Sequence, residues 1–388
     1  MKIGFQIENL DPARGGAETY VFQFAQELLA AGHEVHLIAM AFGSTPHNAY
    51  THHVMRRGIT RWGRDLRFAR AAGRAARRAN LDAVVAVGRT LGADILQPHG
   101  GTLEGSRRQN VALIRHSVLR GLKDGFDWLN PRIRAQLKIE ARQYEADPPP
   151  EVIAISRMVM ADMKEFHDVP DERLHLVYNG VDLKRFSPEV CAAKRDEARQ
   201  AYGLGPDETC FLLVAHNFKL KGLRELIEAA ARVDRAKPWR IVVIGKANPK
   251  WYQALAERLG CDNRFVFPGA TGDVIPAYAA ADVYVQPTWY DPCSLVVLEA
   301  LACGLPVITT KFNGASELMQ DGREGYVLDS PDETERLAHA LTRLLDPDLR
   351  RRMAASARPA VREHSLEQNF REMMAVIEKV AARKGAAK

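Results

Sequence analysis

One pattern, met twice, constrains this chain more than any other: an apolar strand, a loop, a helix and a second apolar strand. Residues 2–6 read as the first strand, Gly15 and Gly16 close the loop, residues 17–31 carry helical periodicity up to Gly32, and residues 34–40 resume as a strand. The same order returns at Cys210, with the strand Phe211-Leu212-Leu213-Val214, a helix over 222–233 and a strand over 240–245. A helix crossing between two strands returns the chain to the same end of the sheet, so the strands it joins run parallel. Apolar runs at 83–87, 95–97 and 152–155 extend the first sheet, and those at 283–285 and 307–310 extend the second.

At 388 residues the chain is too long for one ordinary core, and the pattern predicts an α/β protein of two Rossmann-like, doubly wound domains. The first is expected over 1–182 and the second over 183–362, with 363–388 as a C-terminal helix. Leu366, Phe370, Met373, Met374, Ile377 and Val380 recur at near-helical spacing, so that helix is expected to pack back onto the N-terminal domain. The stretch 179–208 is the expected hinge. Ligands of open parallel sheets bind outside the carboxyl ends of the strands, so two such sheets facing each other define a central cleft as the place for chemistry.

Composition narrows the class. Five scattered cysteines form no CxxC pair, which predicts reduced thiols and neither a disulfide nor a structural zinc. The first residues enter a strand directly and no apolar run approaches a membrane span, so a cytoplasmic protein is expected. The net charge of +6 is concentrated early: residues 1–150 hold 21 Lys and Arg against 14 Asp and Glu, so the first half is expected to face an anionic partner.

Several segments at strand ends carry candidate chemistry. In the run from Tyr290 to Val307, Ser294 reads as a helix N-cap and Gly304 with Pro306 as the stop. Asp291 then precedes the helix and Glu299 lies more than a turn inside it. One carboxylate would reach a hexose and the other ribose hydroxyls, with a diphosphate on the positive helix start at Ser294, Leu295 and Val296. A capped helix packed on a sheet fits the same residues. The loop Arg14-Gly15-Gly16-Ala17-Glu18 lets backbone N–H groups approach a phosphate or sugar, or is a plain tight turn. His216-Asn217-Phe218-Lys219-Leu220-Lys221-Gly222 sets cations where a dianionic leaving group needs compensation, or presents solvated lysines. His99, beside Gly100 and Gly101, leaves room for a ligand or serves a structural role. No catalytic metal is expected, since Asp346-Pro347-Asp348 sits between late helices.

Together, Gly15-Gly16, His99-Gly100, Asn179-Gly180-Val181-Asp182 with Phe186, Lys221-Gly222 and the Asp291/Glu299 pair resemble, in order and spacing over nearly the whole chain, the retaining glycosyltransferases of group 1, family four, with the GT-B fold. Residues 142–186 and 243–257 are similar to lipopolysaccharide-core glucosyltransferases in particular. The resemblance implies that Lys221 neutralises a nucleotide diphosphate, Glu299 binds the ribose, Asp291 contacts the donor sugar, Gly16 lies near phosphate and sugar, and His99 lines the transfer site. It implies a metal-independent transfer on one face of the sugar, without a cofactor beyond the nucleotide-sugar substrate, expected to be UDP-glucose. The chain departs from the family in having Asp291 where Glu is usual, Ser294 where Gly is frequent and His216 where Arg is aligned. These changes bear on which sugar fits and leave Lys221, with Lys219, more of the phosphate charge.

The anionic partner is expected to be a membrane surface at the inner face of the cytoplasmic membrane, reached through the basic segments 56–78 and 107–142, with a glycolipid acceptor of lipopolysaccharide-core type. In the second segment Arg107, Arg108, Arg115, Arg120, Lys123 and further cations alternate with Val111, Ile114, Val118, Leu122, Phe126 and Trp128, a basic amphipathic pattern. A surface helix packing its apolar face on the sheet is the alternative. Other readings are a transferase using GDP-mannose or ADP-heptose on a soluble acceptor, and a basic nucleic-acid-binding protein. The arginine runs lack interleaved aromatic stacking platforms, so no nucleic-acid partner is expected.

Overall fold

The computed structural model describes residues 1–13, 15–55 and 60–386. Arg14 of the glycine loop and residues 56–59, which open the first basic segment, lie outside them. The chain divides into two compact units, Met1–Tyr178 with Phe370–Lys388, and Asn179–Asn369.

The first unit is built on a parallel sheet in the spatial order Tyr50–His53, Glu34–Ala39, Lys2–Gln6, Ala83–Ala86, Ile95–Leu96, Glu151–Ala154 and Leu174–Leu176. The second unit repeats the arrangement as Phe265–Gly269, Trp239–Ile244, Thr209–Val214, Val283–Val285, Val307–Thr310 and Gly325–Leu328, again all parallel. In each, the chain adds two strands on one side of its first strand and then crosses to the other side. Such a sheet has a topological switch point beside its first strand, where the departing loops diverge and leave a crevice. Its central strands are buried on both faces, which is why Ile241, Val242, Val243 and Ile244 are apolar without alternation.

The final helix, Leu366–Ala386, runs longer than its apolar spacing predicts. From Phe370 onward it belongs to the first unit. The Phe370 ring stacks on Phe24 with centroids 4.7 Å apart, and Met373 and Ile377 are fully buried. Glu151 receives Arg383 at 2.9 Å and Lys379 at 3.3 Å, and Asp94 receives Lys384 at 2.8 Å. The helix read over 222–233 is shorter, Leu223–Ala230, because Arg232 and Val233 donate to carbonyls three residues back and tighten its last turn.

Segment 107–142 is not one amphipathic stretch. It forms three helices, Leu103–Ala112, Ser117–Leu129 and Pro131–Tyr144. Arg107, expected on the basic surface, is buried. Its guanidinium pairs with Glu104 at 2.6 Å and with Asp124, and lies over Trp128. The alternative of an apolar face packed on the sheet also fails for the middle helix. Val118, Leu119, Leu122, Phe126 and Leu129 are all more than half exposed, while Asp127 on the other side is buried against Lys123. The polar residues pair among themselves and turn the apolar stripe outward.

Candidate functional site

In the second unit, Thr209–Val214 and Val283–Val285 are neighbours, so the segments leaving them emerge side by side although 70 residues apart in sequence. Leu220 O accepts from Trp289 N at 2.9 Å and from Thr288 Oγ1 at 3.0 Å, joining the two. Asn217 Oδ1 accepts from Leu220 N at 3.1 Å and braces the turn, while His216 and Asn217 themselves are exposed. Gly222 then adopts φ 78°, and a Cβ there would meet Pro287 O at 2.0 Å, so only glycine fits. This close approach carries Lys221 Nζ to 2.5 Å from Asp291 Oδ2.

Gln286, fully buried at the end of its strand, organises the rest. Its Nε2 donates to Asp291 Oδ2 at 3.0 Å, and its Oε1 accepts from Ser294 Oγ at 3.0 Å and from Tyr284 OH at 3.0 Å. Asp291 is fixed through its backbone as well, donating to Phe312 O and accepting from Gly314 N, each at 2.8 Å. Asn179 Nδ2 donates to Cys293 O at 2.8 Å, and Asn313 Oδ1 accepts from Ser294 N at 3.3 Å. Ser294 stands at the N-cap position of Leu295–Ala302, but its hydroxyl is spent on Gln286 and caps nothing. The helix start, with Leu295 and Val296, therefore has no side-chain acceptor, which leaves its positive end available to an anion. Gly304 ends the helix at φ 78°.

Glu299 lies one turn further in. Tyr278 OH donates to its Oε2 at 2.7 Å, yet burial outweighs that bond and the positive field of Arg185, pushing the carboxyl up to about 7. The residue as a whole keeps partial solvent access.

The remaining candidates belong to the first unit. There the switch point holds a cavity of about 220 Å³ whose wall includes Glu8, Glu18, Gly88, Arg89, Gly100 and Glu140. Glu140 accepts from Leu103 N at 2.8 Å and pairs with Arg89 at 3.3 Å and His167 at 3.1 Å. Gly15 occupies the extended N-cap position of Gly16–Ala30, and the next residues, Ala17 and Glu18, reach the cavity wall. Pro98, Gly100 and Gly101 also line it, while the His99 ring lies against Tyr20 with centroids 4.7 Å apart. His99 Nε2 is buried without a hydrogen-bond partner, and burial pushes the imidazole down to about 4, so it is neutral at physiological pH. Among the described residues no group of three or more His, Cys, Asp or Glu side chains is placed to hold a metal.

Sequence reasoning passed over Gln286, Tyr278 and Asn313. A polar residue directly after an apolar strand, as in Val283-Tyr284-Val285-Gln286, was a usable signal for the first. Nothing local marked the others, whose partners lie 19 to 21 residues away.

Residues 14–185 match the family model Glycosyltransferase Family 4, and residues 194–359 match Glycosyl transferases group 1. The chain is 28% identical over 233 residues to lipopolysaccharide glucosyltransferase WaaG of Escherichia coli, covering 59% of this chain and 62% of that protein. It is 31% identical over 227 residues to D-inositol 3-phosphate glycosyltransferase of Corynebacterium urealyticum, covering 55% and 53%. The matches thus span between half and two thirds of these relatives. In fold, the crystal structure of WaaG superposes with a TM-score of 0.81 at 24% identity over 98% of both chains. Anabaena HepE, solved with UDP and glucose, superposes at 0.72 and 18% over 98% and 100%.

Proposed function

The chain belongs to the group 1, family 4 glycosyltransferases, whose two domain models it matches in succession, and we propose that it transfers a hexose from a nucleotide sugar, UDP-glucose, to a hydroxyl of a lipopolysaccharide-core or similar glycolipid with retention of configuration. The observation that carries this reading is the Lys221–Asp291 pair, held beside an uncapped helix start with Glu299 one turn inside. An incoming diphosphate meets Lys221 and the N–H groups at Leu295 and Val296. Competing for Lys221, it frees Asp291 to accept from a hydroxyl of the donor sugar, and Glu299 accepts from the ribose.

The bond from the acceptor oxygen to the anomeric carbon forms on the face from which the diphosphate leaves, the bond from that carbon to the diphosphate breaks, and the hydroxyl proton passes to a leaving phosphate oxygen. Lys221 and the helix start stabilise the charge that develops there, which is the main electrostatic contribution, and the scheme uses no metal. The cavity of the first unit is assigned to the acceptor, with His99 as a neutral neighbour. The reading as a peripheral enzyme at the inner face of the cytoplasmic membrane rests on the exposed apolar helix Ser117–Leu129 with Arg115 and Arg120 also exposed on its flank. No helix among the described residues is long and apolar enough to cross a membrane.

Calorimetric titration of UDP, GDP and ADP into the wild type and Lys221→Ala tests the donor site. UDP binding lost in the variant supports it, together with a fall in kcat of about 10²–10³-fold. Preference for GDP or ADP redirects the donor to mannose or heptose, and binding of no nucleotide refutes the transferase reading.

A further inference from the structure

A second cavity in the first unit plays no part in that scheme. It is a groove of about 430 Å³ between the helices Arg61–Ala79 and Pro131–Tyr144. Trp62, Leu66 and Arg70 form one wall, and Arg134, Lys138 and Arg142 form the other. Each set is spaced four residues apart, so each forms a single ridge along its helix.

Four cations line this groove and no carboxylate does. Same-sign charges one turn apart repel, and an ordinary solvated helix face relieves this with interspersed acids. Here the acids are committed elsewhere. Asp65 is taken by Arg132 at 3.4 Å and Gln136 at 3.3 Å. Glu140, the lone carboxylate of Pro131–Tyr144, is buried among Arg89, His167 and the Leu103 N–H. None of the four groove cations has a carboxylate partner among the described residues. Trp62 stands with 43% of its surface open beside them. A concave site lined by four unneutralised cations and one broad aromatic face suits an anion joined to a weakly apolar ring.

We propose that this groove binds a phosphorylated sugar. The guanidinium forks of Arg70, Arg134 and Arg142 and the Lys138 ammonium hold the phosphoryl oxygens, and Trp62 lies against the ring. Glu140, Gln143 and Tyr144 of the same helix line the switch-point cavity, so a ligand in the groove sits about one helix diameter, roughly 10–12 Å, from it. A phosphorylated acceptor glycan could thereby be held at two points; that assignment, unlike the groove's ligand chemistry, rests on the transferase reading.

The test is calorimetric titration of glucose 1,6-bisphosphate at low ionic strength into the full chain, into the double variant Arg134→Ala/Lys138→Ala, into Trp62→Ala, and into the donor-site variant Lys221→Ala. Glucose and phosphatidylglycerol vesicles serve as further probes, and UDP is titrated in parallel. The expected result is binding of the bisphosphate that weakens about tenfold or more in the double variant and with added salt, and less in Trp62→Ala. It persists in Lys221→Ala, and glucose does not bind. Absence of bisphosphate binding, or binding indifferent to the groove substitutions, overturns the proposal. So does groove-dependent binding of vesicles without binding of the soluble sugar phosphate, which would make the groove a reader of lipid surfaces. The UDP arm reads the donor site in the other unit, so its failure refutes the transferase reading and leaves the groove result standing.

Discussion

Glu299→Gln separates the stability of this protein from its function at a single carboxyl. Burial raises Glu299 from an ordinary 4.5 to about 7, so the folded protein holds its proton where the unfolded chain releases it. The consequence for stability has a definite sign. Below about pH 4.5 the group is protonated in both states and burial costs nothing. Between about 4.5 and 7 the unfolded chain ionises first and the folded state loses ground, and above about 7 the full penalty applies. At about 1.4 kcal/mol per pH unit the gap is worth about 3 kcal/mol, an upper value that the partial solvent access of Glu299 reduces to about 1–3 kcal/mol.

Glutamine is a permanent stand-in for the protonated form, and its carbonyl still accepts from Tyr278 OH. Urea unfolding of wild type and variant across about pH 4.5 to 8 should show equal stability at the acid end and a variant more stable by about 1–3 kcal/mol at the alkaline end. UDP should bind the variant more weakly, and its affinity for the wild type should rise with pH through about 7 as the carboxylate forms. A stability difference that does not change with pH, or a wild type more stable than the variant at pH 8, refutes the burial argument.

Gly222→Ala should lower stability by about 2–5 kcal/mol in thermal or urea unfolding, since a Cβ at φ 78° is strained and meets Pro287 O at 2.0 Å; near-wild-type stability would show that the turn is not held as described. Leu122→Ser/Phe126→Ser removes two exposed apolar side chains from Ser117–Leu129 and should weaken sedimentation with anionic vesicles by about tenfold or more while leaving UDP affinity unchanged.

What local sequence could specify was largely legible. Apolar runs found the central strands, Gly304 marked the end of a helix, and the spacing of Phe370, Met373 and Ile377 foretold which face of the last helix is buried, because periodicity and backbone preference act over one or two turns. Segment 107–142 was only partly legible for the same reason. Its cations and apolar residues alternate with helical period whichever side faces inward, and only the tertiary pairing of Arg107 with Glu104 and Asp124 decides that this one cation is buried while the apolar stripe of Ser117–Leu129 is exposed.

The motifs named Lys221, Asp291, Ser294 and Glu299, but not what each touches. That Lys221 meets Asp291, that Gln286 takes the Ser294 hydroxyl away from its helix, and that Tyr278 closes over Glu299 depend on Thr209–Val214 lying beside Val283–Val285. By itself the sequence determined the elements and the residue types at their ends. Strand order, a property of the whole sheet, decided which of those ends meet, and so which charges are paired, neutral or free.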